Sequence, residues 1–413
     1  MVHYSIIASA LLSVATAQSL GKGQENQPKL TTYSCTKKGG CKPQESYIVL
    51  DSASHSIHQK NNTSLGCGNW GSAADPTACP DKATCAKNCV LEPISNYADY
   101  GIFTNGASLR MDFYGKDKKF QSPRAYLLNK DKKNYEMLKL TGGEFSFDVD
   151  VSKLPCGMNG ALYLSEMRAD GGRSKLNPGG ASVGTGYCDA QCFVTPWVNG
   201  EANLDGSGVC CNEMDIWEAN SRAASIAPHT CSKPSLFTCK GDECGQTGLC
   251  DKPGCGKNSY KNGAKDFYGL GLKIDTKKPF TVVTQFPAKN GVLQSVDRKY
   301  VQNGVVFVDE PKSITLNDET CKASGADMFM KLGAMKGMGD AMTRGMVLAM
   351  SVWWDESGFM QWLDSGAAGP CSATDGDPQN ILKVQPAPST TFSNIKWGEI
   401  GSTFKGKAAQ FIA

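Results

Sequence analysis

Between Cys210 and Asn220 the chain reads Cys-Cys-Asn-Glu-Met-Asp-Ile-Trp-Glu-Ala-Asn, which brings Glu213, Asp215 and Glu218 close together. In an extended strand, side chains alternate between faces. Met214 and Ile216 then turn to one side, and Glu213 and Asp215 to the other. A helix would scatter the acids, since Glu213 and Asp215 would stand about 200° apart on the wheel. Glu218 breaks the alternation, because strict parity groups it with Met214 and Ile216. A lone carboxylate facing a core is costly, so a β-bulge is expected between Asp215 and Glu218 to return it to the acidic face. Three carboxylates on one open face suit glycosidic cleavage. A retaining site needs two carboxyl groups about 5–5.5 Å apart, one to attack and one to protonate. A third beside the nucleophile can hold it and tune its ionisation. A solvated acidic strand or a calcium-binding face would use the same residue types, and spacing alone leaves these alternatives open.

Aromatic residues point toward sugar. Along Met346–Trp353, Met346, Leu348, Met350 and Val352 form one apolar face, while Val347, Ala349, Ser351 and Trp353 form the other. Trp353 therefore projects away from the core side. Asp355 to Gly358 reads as a turn, and Trp362 follows it. An exposed indole offers a flat face to the CH groups of a pyranose, although a tryptophan is more often core than platform. Lys+Arg 43 against Asp+Glu 40 leaves a net charge of +3, too balanced to announce a nucleic-acid or membrane partner. A neutral polymer fits that surface.

The elements that must hold these residues read as strands. Leu109, Met111 and Phe113 alternate with polar neighbours, as do Phe145, Phe147 and Val149, and further runs span Phe280–Phe286 and Tyr300–Phe307. Asn303-Gly304 interrupts the last as a type I′ hairpin signal. One helix is expected over roughly Ala326–Arg344, where Met328, Leu332, Met335 and Met342 recur at helical spacing as a core face. There is no internal repeat, no Pro/Ser/Thr-rich linker and no dinucleotide or P-loop glycine pattern. The reading is one large, mostly β sandwich domain.

Residues 1–17 resemble a secretory signal peptide, with an apolar stretch from Ser5 to Val14, an Ala15-Thr16-Ala17 site and cleavage expected before Gln18. Eighteen cysteines in an exported chain imply a disulfide framework. Zinc ligation is disfavoured, because the four histidines are unsuitably spaced. Asn61-Asn62-Thr63-Ser64 holds two overlapping glycosylation sequons, of which crowding should allow one to be used.

The segment Asn212–Asn220 resembles the catalytic signature of glycoside hydrolase family 7, the fungal endoglucanases I and cellobiohydrolases I. Leu30–Cys35, Gly186–Cys192, Trp362–Ser365 and Phe392–Thr403 match that family in order, so the resemblance covers Gln18 to Thr403. It implies an all-β, curved jelly-roll sandwich of two antiparallel sheets with a long substrate cleft, and retention by double displacement. By motif position Glu213 would be the nucleophile, Glu218 the acid and then the base, and Asp215 the support of Glu213. Trp353 and Trp362 would be stacking platforms either side of the cleavage point. Tyr163, Asp189, Gln191 and His229 would contact glucose hydroxyls. The resemblance pairs the cysteines as 35–41, 67–89, 79–85, 156–371, 188–211, 192–210, 231–250, 239–244 and 255–321.

Two departures refine the expectation. Gly241–Cys255 is shorter than the tunnel-forming version, and Ala368 stands where the processive enzymes place a product-site arginine. Both resemble the endoglucanases and their open groove. In Asp51–His58, Ser54 and Ser56 replace stacking aromatics and His55 replaces an arginine, which weakens the expected grip at the far glycone end. The expectation is thus a secreted endo-β-1,4-glucanase acting on cellulose and related β-glucans. Residues 18–413 would be a single catalytic domain without a cellulose-binding module, needing no cofactor or metal and working as a monomer.

Overall fold

The computed structural model describes residues 19–312 and 314–408; the signal-peptide reading, with its cleavage before Gln18, falls outside them. Two antiparallel layers face each other. The inner layer places Gly40–Leu50, Arg124–Leu128, Met346–Trp354, Met158–Ser165, Glu213–Ala219 and Ala224–His229 side by side. The outer layer runs through Ser108–Asp112, Ser389–Glu399, Gly143–Asp150, Phe280–Gln285, Asp297–Gln302 and Val305–Val308. Lys29–Thr36 pairs antiparallel with Gly40–Leu50 and parallel with Ser389–Glu399, and so joins the two layers.

Alternation decides what lies between them. Leu109, Met111, Phe113, Phe145, Phe147 and Val149 from the outer layer meet Leu162, Leu164, Met214, Ile216, Leu348 and Met350 from the inner layer in one buried core. Burial of an aromatic or large aliphatic side chain contributes about 1.5–3 kcal/mol each, so this interior fixes the strand register. The opposite face of the inner layer carries a second cluster, including Val49, Tyr126, Ala161, Tyr163, Val347 and Ala349. The alternation expected along Met346–Trp353 therefore divides between two clusters as the sequence required. The Asn303-Gly304 hairpin is also present, with both residues at positive φ (53° and 76°) between Asp297–Gln302 and Val305–Val308.

The expected single helix over Ala326–Arg344 is two helices, Asp327–Lys331 and Ala334–Arg344. Gly333 between them sits at φ +130°, a conformation that breaks the helical path. Asp318 Oδ1 then accepts the backbone N–H of Met335 at 2.9 Å, satisfying the start of the second helix. The core face is Phe329, Met335, Met338 and Met342, whereas Met328 and Leu332 are only partly buried.

All eighteen cysteines are joined, in the nine pairs that the resemblance implied. Cys156–Cys371 spans 215 residues. Cys188–Cys211 and Cys192–Cys210 fasten the loop at 188–192 onto the residues that lead into the strand Glu213–Ala219. Among the described residues no helix is long and apolar enough to cross a membrane.

Candidate active site

The strand Glu213–Ala219 is bulged where parity demanded it. Its register slips between Asp215 and Glu218 against Ala224–His229, and opposite Leu162 to Leu164 on its other neighbour. Ile216 and Trp217, consecutive in sequence, are both fully buried in the core. Two successive residues on one side return Glu218 to the face of Glu213 and Asp215. At the slip, the guanidinium of Arg298, reaching from the outer layer, donates to the carbonyl of Ile216. Arg298 lies 5.6 Å from the Trp217 ring centroid and also donates to Thr284 Oγ1 at 3.2 Å.

Each acid has its own holder. Glu213 Oε2 accepts the backbone N–H of Ala190 at 3.0 Å, and that amide lies in the disulfide-fastened loop. Asp215 Oδ2 lies 3.0 Å from His229 Nε2, and His229 Nδ1 is 2.9 Å from the carbonyl of Asp251. Glu218 Oε1 accepts from Asn159 Nδ2 at 3.0 Å, while Asn159 Oδ1 accepts the N–H of Ala219 at 3.1 Å. That second bond fixes which way the amide points.

Burial sets the ionisation. It pushes Glu218 up to about 8, helped by the charge of Asp215 and opposed by His229 and Asn159. Glu213 is also raised well above the carboxylate range, first by burial and then by Asp215 and Asp189; the His229 charge and the Ala190 amide oppose this. Burial works against protonated His229, yet its bond to Asp215 and the surrounding acids lift it to about 10. The cluster therefore holds a cation at neutral pH beside two glutamates that burial and the neighbouring negative charge hold back from ionising.

Most of the expected sugar contacts border this cluster. Asp189 accepts from Tyr187 Oη at 2.8 Å and from the backbone N–H groups of Gln191 and Cys192 at 2.9 and 3.2 Å. Tyr163 Oη lies 3.2 Å from Tyr187 Oη. Gln191 donates its side-chain amide to the carbonyl of Lys252 at 2.9 Å. Trp353 and Trp362 stack on each other, with centroids 6.4 Å apart and 28° between planes. Trp362 is 49% exposed. His229 is different: both ring nitrogens have partners, so its placement serves Asp215 before any hydroxyl.

Sequence reasoning missed three holders. Asn159 shares a face with Tyr163 by parity in Met158–Ser165, and that signal was available. Tyr187 stands two residues before Asp189, a spacing that also puts them on one side of an extended segment. The Ala190 amide, a backbone group, has no sequence signal. In the segment Asp51–His58, expected from the resemblance to lie at the far glycone end, His55 is buried. Its Nε2 lies 3.2 Å from Glu25 and its Nδ1 3.2 Å from the Asp51 carbonyl, so it ties down the chain near residue 25. Asp51 caps the turn Ser52–Ser54 and accepts from Arg124 Nη2 at 2.7 Å. Ala368 is 7% exposed, and its carbonyl accepts from Asn258 Nδ2 at 2.9 Å.

Comparison with known proteins agrees with this geometry. The family model described as glycosyl hydrolase family 7 matches residues 20–404. The chain is 54% identical over 410 residues to endoglucanase EG-1 of Humicola insolens, covering 97% of this chain and 94% of that protein. A solved endoglucanase I complexed with cellobiose is 56% identical, with a TM-score of 0.91, over 94% of this chain and all of its own. A family 7 cellobiohydrolase from Daphnia pulex matches over the same shares of each chain at 36% identity and a TM-score of 0.85.

Proposed function

The chain belongs to glycosyl hydrolase family 7 and is an endo-β-1,4-glucanase of that family, and we propose that Glu213, Asp215 and Glu218 perform its retaining double displacement. The observation that carries the assignment is the bulge, which gathers three carboxylates on one face with unlike partners. Glu218, held protonated by burial, gives its proton to the glycosidic oxygen as Glu213 attacks the anomeric carbon. The C–O bond breaks, the aglycone leaves as an alcohol and a glycosyl ester forms on Glu213. Glu218, now ionised, takes a proton from water as that water attacks the anomeric carbon and releases Glu213. Asp215, paired with His229, steadies the charge beside Glu213.

Trp353 and Trp362 are read as stacking surfaces, and Tyr163, Asp189 and Gln191 as polar contacts to the glucan. The disulfide framework and the leader-like residues 1–17 support export to an oxidising space. In the test, proton NMR should show the β-anomer as first product, and Glu213→Gln should lose activity by several orders of magnitude while still binding oligosaccharide. Viscosity of a soluble β-glucan should fall before much reducing sugar appears. An α-anomer formed first would overturn the mechanism, and steady cellobiose release at constant viscosity would overturn the endo mode.

A further inference from the structure

We infer that Trp70 and Phe193 form an additional sugar-stacking platform that takes a pyranosyl unit of the glucan beyond the Tyr187 cluster, an inference that rests on the β-glucanase reading above. Four aromatic rings follow one another outward from the site. Tyr126 and Tyr187 stack at 6.1 Å, Tyr187 and Trp70 lie 6.2 Å apart, and Trp70 and Phe193 lie 6.1 Å apart. Tyr187 is hydrogen-bonded to Asp189, whose neighbour Ala190 holds the proposed nucleophile, so the row is tied through Tyr187 to the reacting centre. Its inner members are buried or half-buried. Its outer members are not: Trp70 is 46% exposed and Phe193 50%.

Two large aromatic rings left adjacent and half bare on a monomer surface mark an interaction site. Continuity with the catalytic face identifies the occupant as substrate. A row of uncharged rings suits neutral pyranoses, whose CH faces stack on aromatic surfaces. The guanidinium of Arg124 reinforces the row, 3.4 Å from the Tyr187 centroid and 5.1 Å from that of Trp70, and its Nε and Nη2 are oriented by Asp51.

The platform is also rigid before any ligand arrives. The Trp70 loop is fastened by Cys67–Cys89, and the Phe193 loop by Cys192–Cys210. Gly71 N–H donates to the Val194 carbonyl at 3.0 Å, binding one loop to the other, and Val209 N–H donates to the Phe193 carbonyl at 3.0 Å. Preorganised rings lose little freedom on binding. A recess of about 320 Å³ in the same loop, lined by Gln59, Asn69 and Asp75 among others, offers amide and carboxylate groups to hydroxyls. The pyranosyl unit has two possible sources, a further glucosyl of the main chain or a xylosyl side branch.

The test compares the wild type with Trp70→Ala/Phe193→Ala and Trp70→Phe on an aryl cellobioside, cellotriose to cellohexaose, and a xylose-branched glucan oligosaccharide. The double variant should lose roughly tenfold or more in kcat/KM on the longer substrates, on the scale of ring stacking. The aryl cellobioside, too short to reach the platform, should change less than about twofold, and Trp70→Phe should keep most of the wild-type value. Loss confined to cellopentaose and cellohexaose assigns the platform to the main chain; loss confined to the branched substrate assigns it to the side branch. Equal kcat/KM for wild type and double variant on every substrate would overturn the proposal. A wild type inactive on all β-1,4-glucans would instead overturn the functional reading itself.

Discussion

His229 and Asp215 meet diagonally across adjacent strands, with Nε2 3.0 Å from Oδ2. The contact joins the histidine of the site to the acid between the two glutamates. Because His229 is raised to about 10, it is still cationic where Glu218, raised to about 8, titrates.

His229→Gln keeps a hydrogen-bond donor near Asp215 and removes the charge. Glu213 then loses a group that favours its anion, so its already raised pKa climbs further. Activity needs Glu213 ionised, so the acidic limb of the pH–kcat/KM profile should move upward by up to about one unit. A profile with an unmoved acidic limb would show that the cation does not act on Glu213.

Glu218→Gln should make the protein more stable while inactivating it toward glucan. The folded pKa of about 8 lies above the ordinary carboxyl value of 4.5. Such a group supports the fold fully below its ordinary pKa, and that support is lost as pH rises through the folded value. The amide does not titrate. The stability advantage of the variant should therefore grow between about pH 4.5 and 8, by up to about 1 kcal/mol per pH unit, and its melting-temperature difference should grow with it. A difference in stability that is flat across that window would contradict the raised pKa. The same shift predicts that wild-type activity falls as pH rises through about 8, when the acid loses its proton.

Arg298→Met leaves the Ile216 carbonyl at the bulge without the guanidinium. An unsatisfied buried carbonyl costs about 1–3 kcal/mol, so the melting temperature should drop. If Arg298 aims Glu218 through the bulge, kcat should fall further than the folded fraction explains, with KM little changed, and Arg298→Lys should recover part of it. A loss in kcat that merely tracks the folded fraction would reduce Arg298 to a core residue.

Removing Cys188–Cys211 with paired serines frees one anchor of the Ala190 loop. For a loop of 23 residues the expected loss of stability is about 3 kcal/mol. At temperatures where the variant remains folded, kcat should still decrease, because the Ala190 amide no longer meets Glu213 in a fixed place. Unchanged kcat would mean that Cys192–Cys210 alone fixes the loop.

What the sequence disclosed follows the range of the interactions involved. The face of Glu213 and Asp215, and the bulge before Glu218, could be read because alternation is local and a core-facing carboxylate is costly. The break at Gly333 was also local, but the methionine stripe masked it: Met328 and Leu332 keep helical spacing although the chain turns between the two helices. Asn159 escaped notice because its partner, Glu218, is 59 residues away and is met only through strand register. The motif position of His229 implies a glucose hydroxyl as its partner, whereas the structure gives it Asp215. Its true neighbour depends on the pairing of Glu213 with His229 across the sheet, which no spacing within one segment reveals.

The link between Cys156 and Cys371 has a consequence outside catalysis. Asn159, Tyr163, Asp189, Gln191, Glu213, Asp215, Glu218, His229, Trp353 and Trp362 all lie between those two cysteines, so one covalent ring encloses them. A single cut by a protease anywhere within that ring opens it without releasing a fragment. Both ends remain tethered through the sulfur bridge and are held in register by the sheets. In surroundings rich in foreign proteases, such a molecule can be nicked once and keep every residue of its machinery on one connected chain.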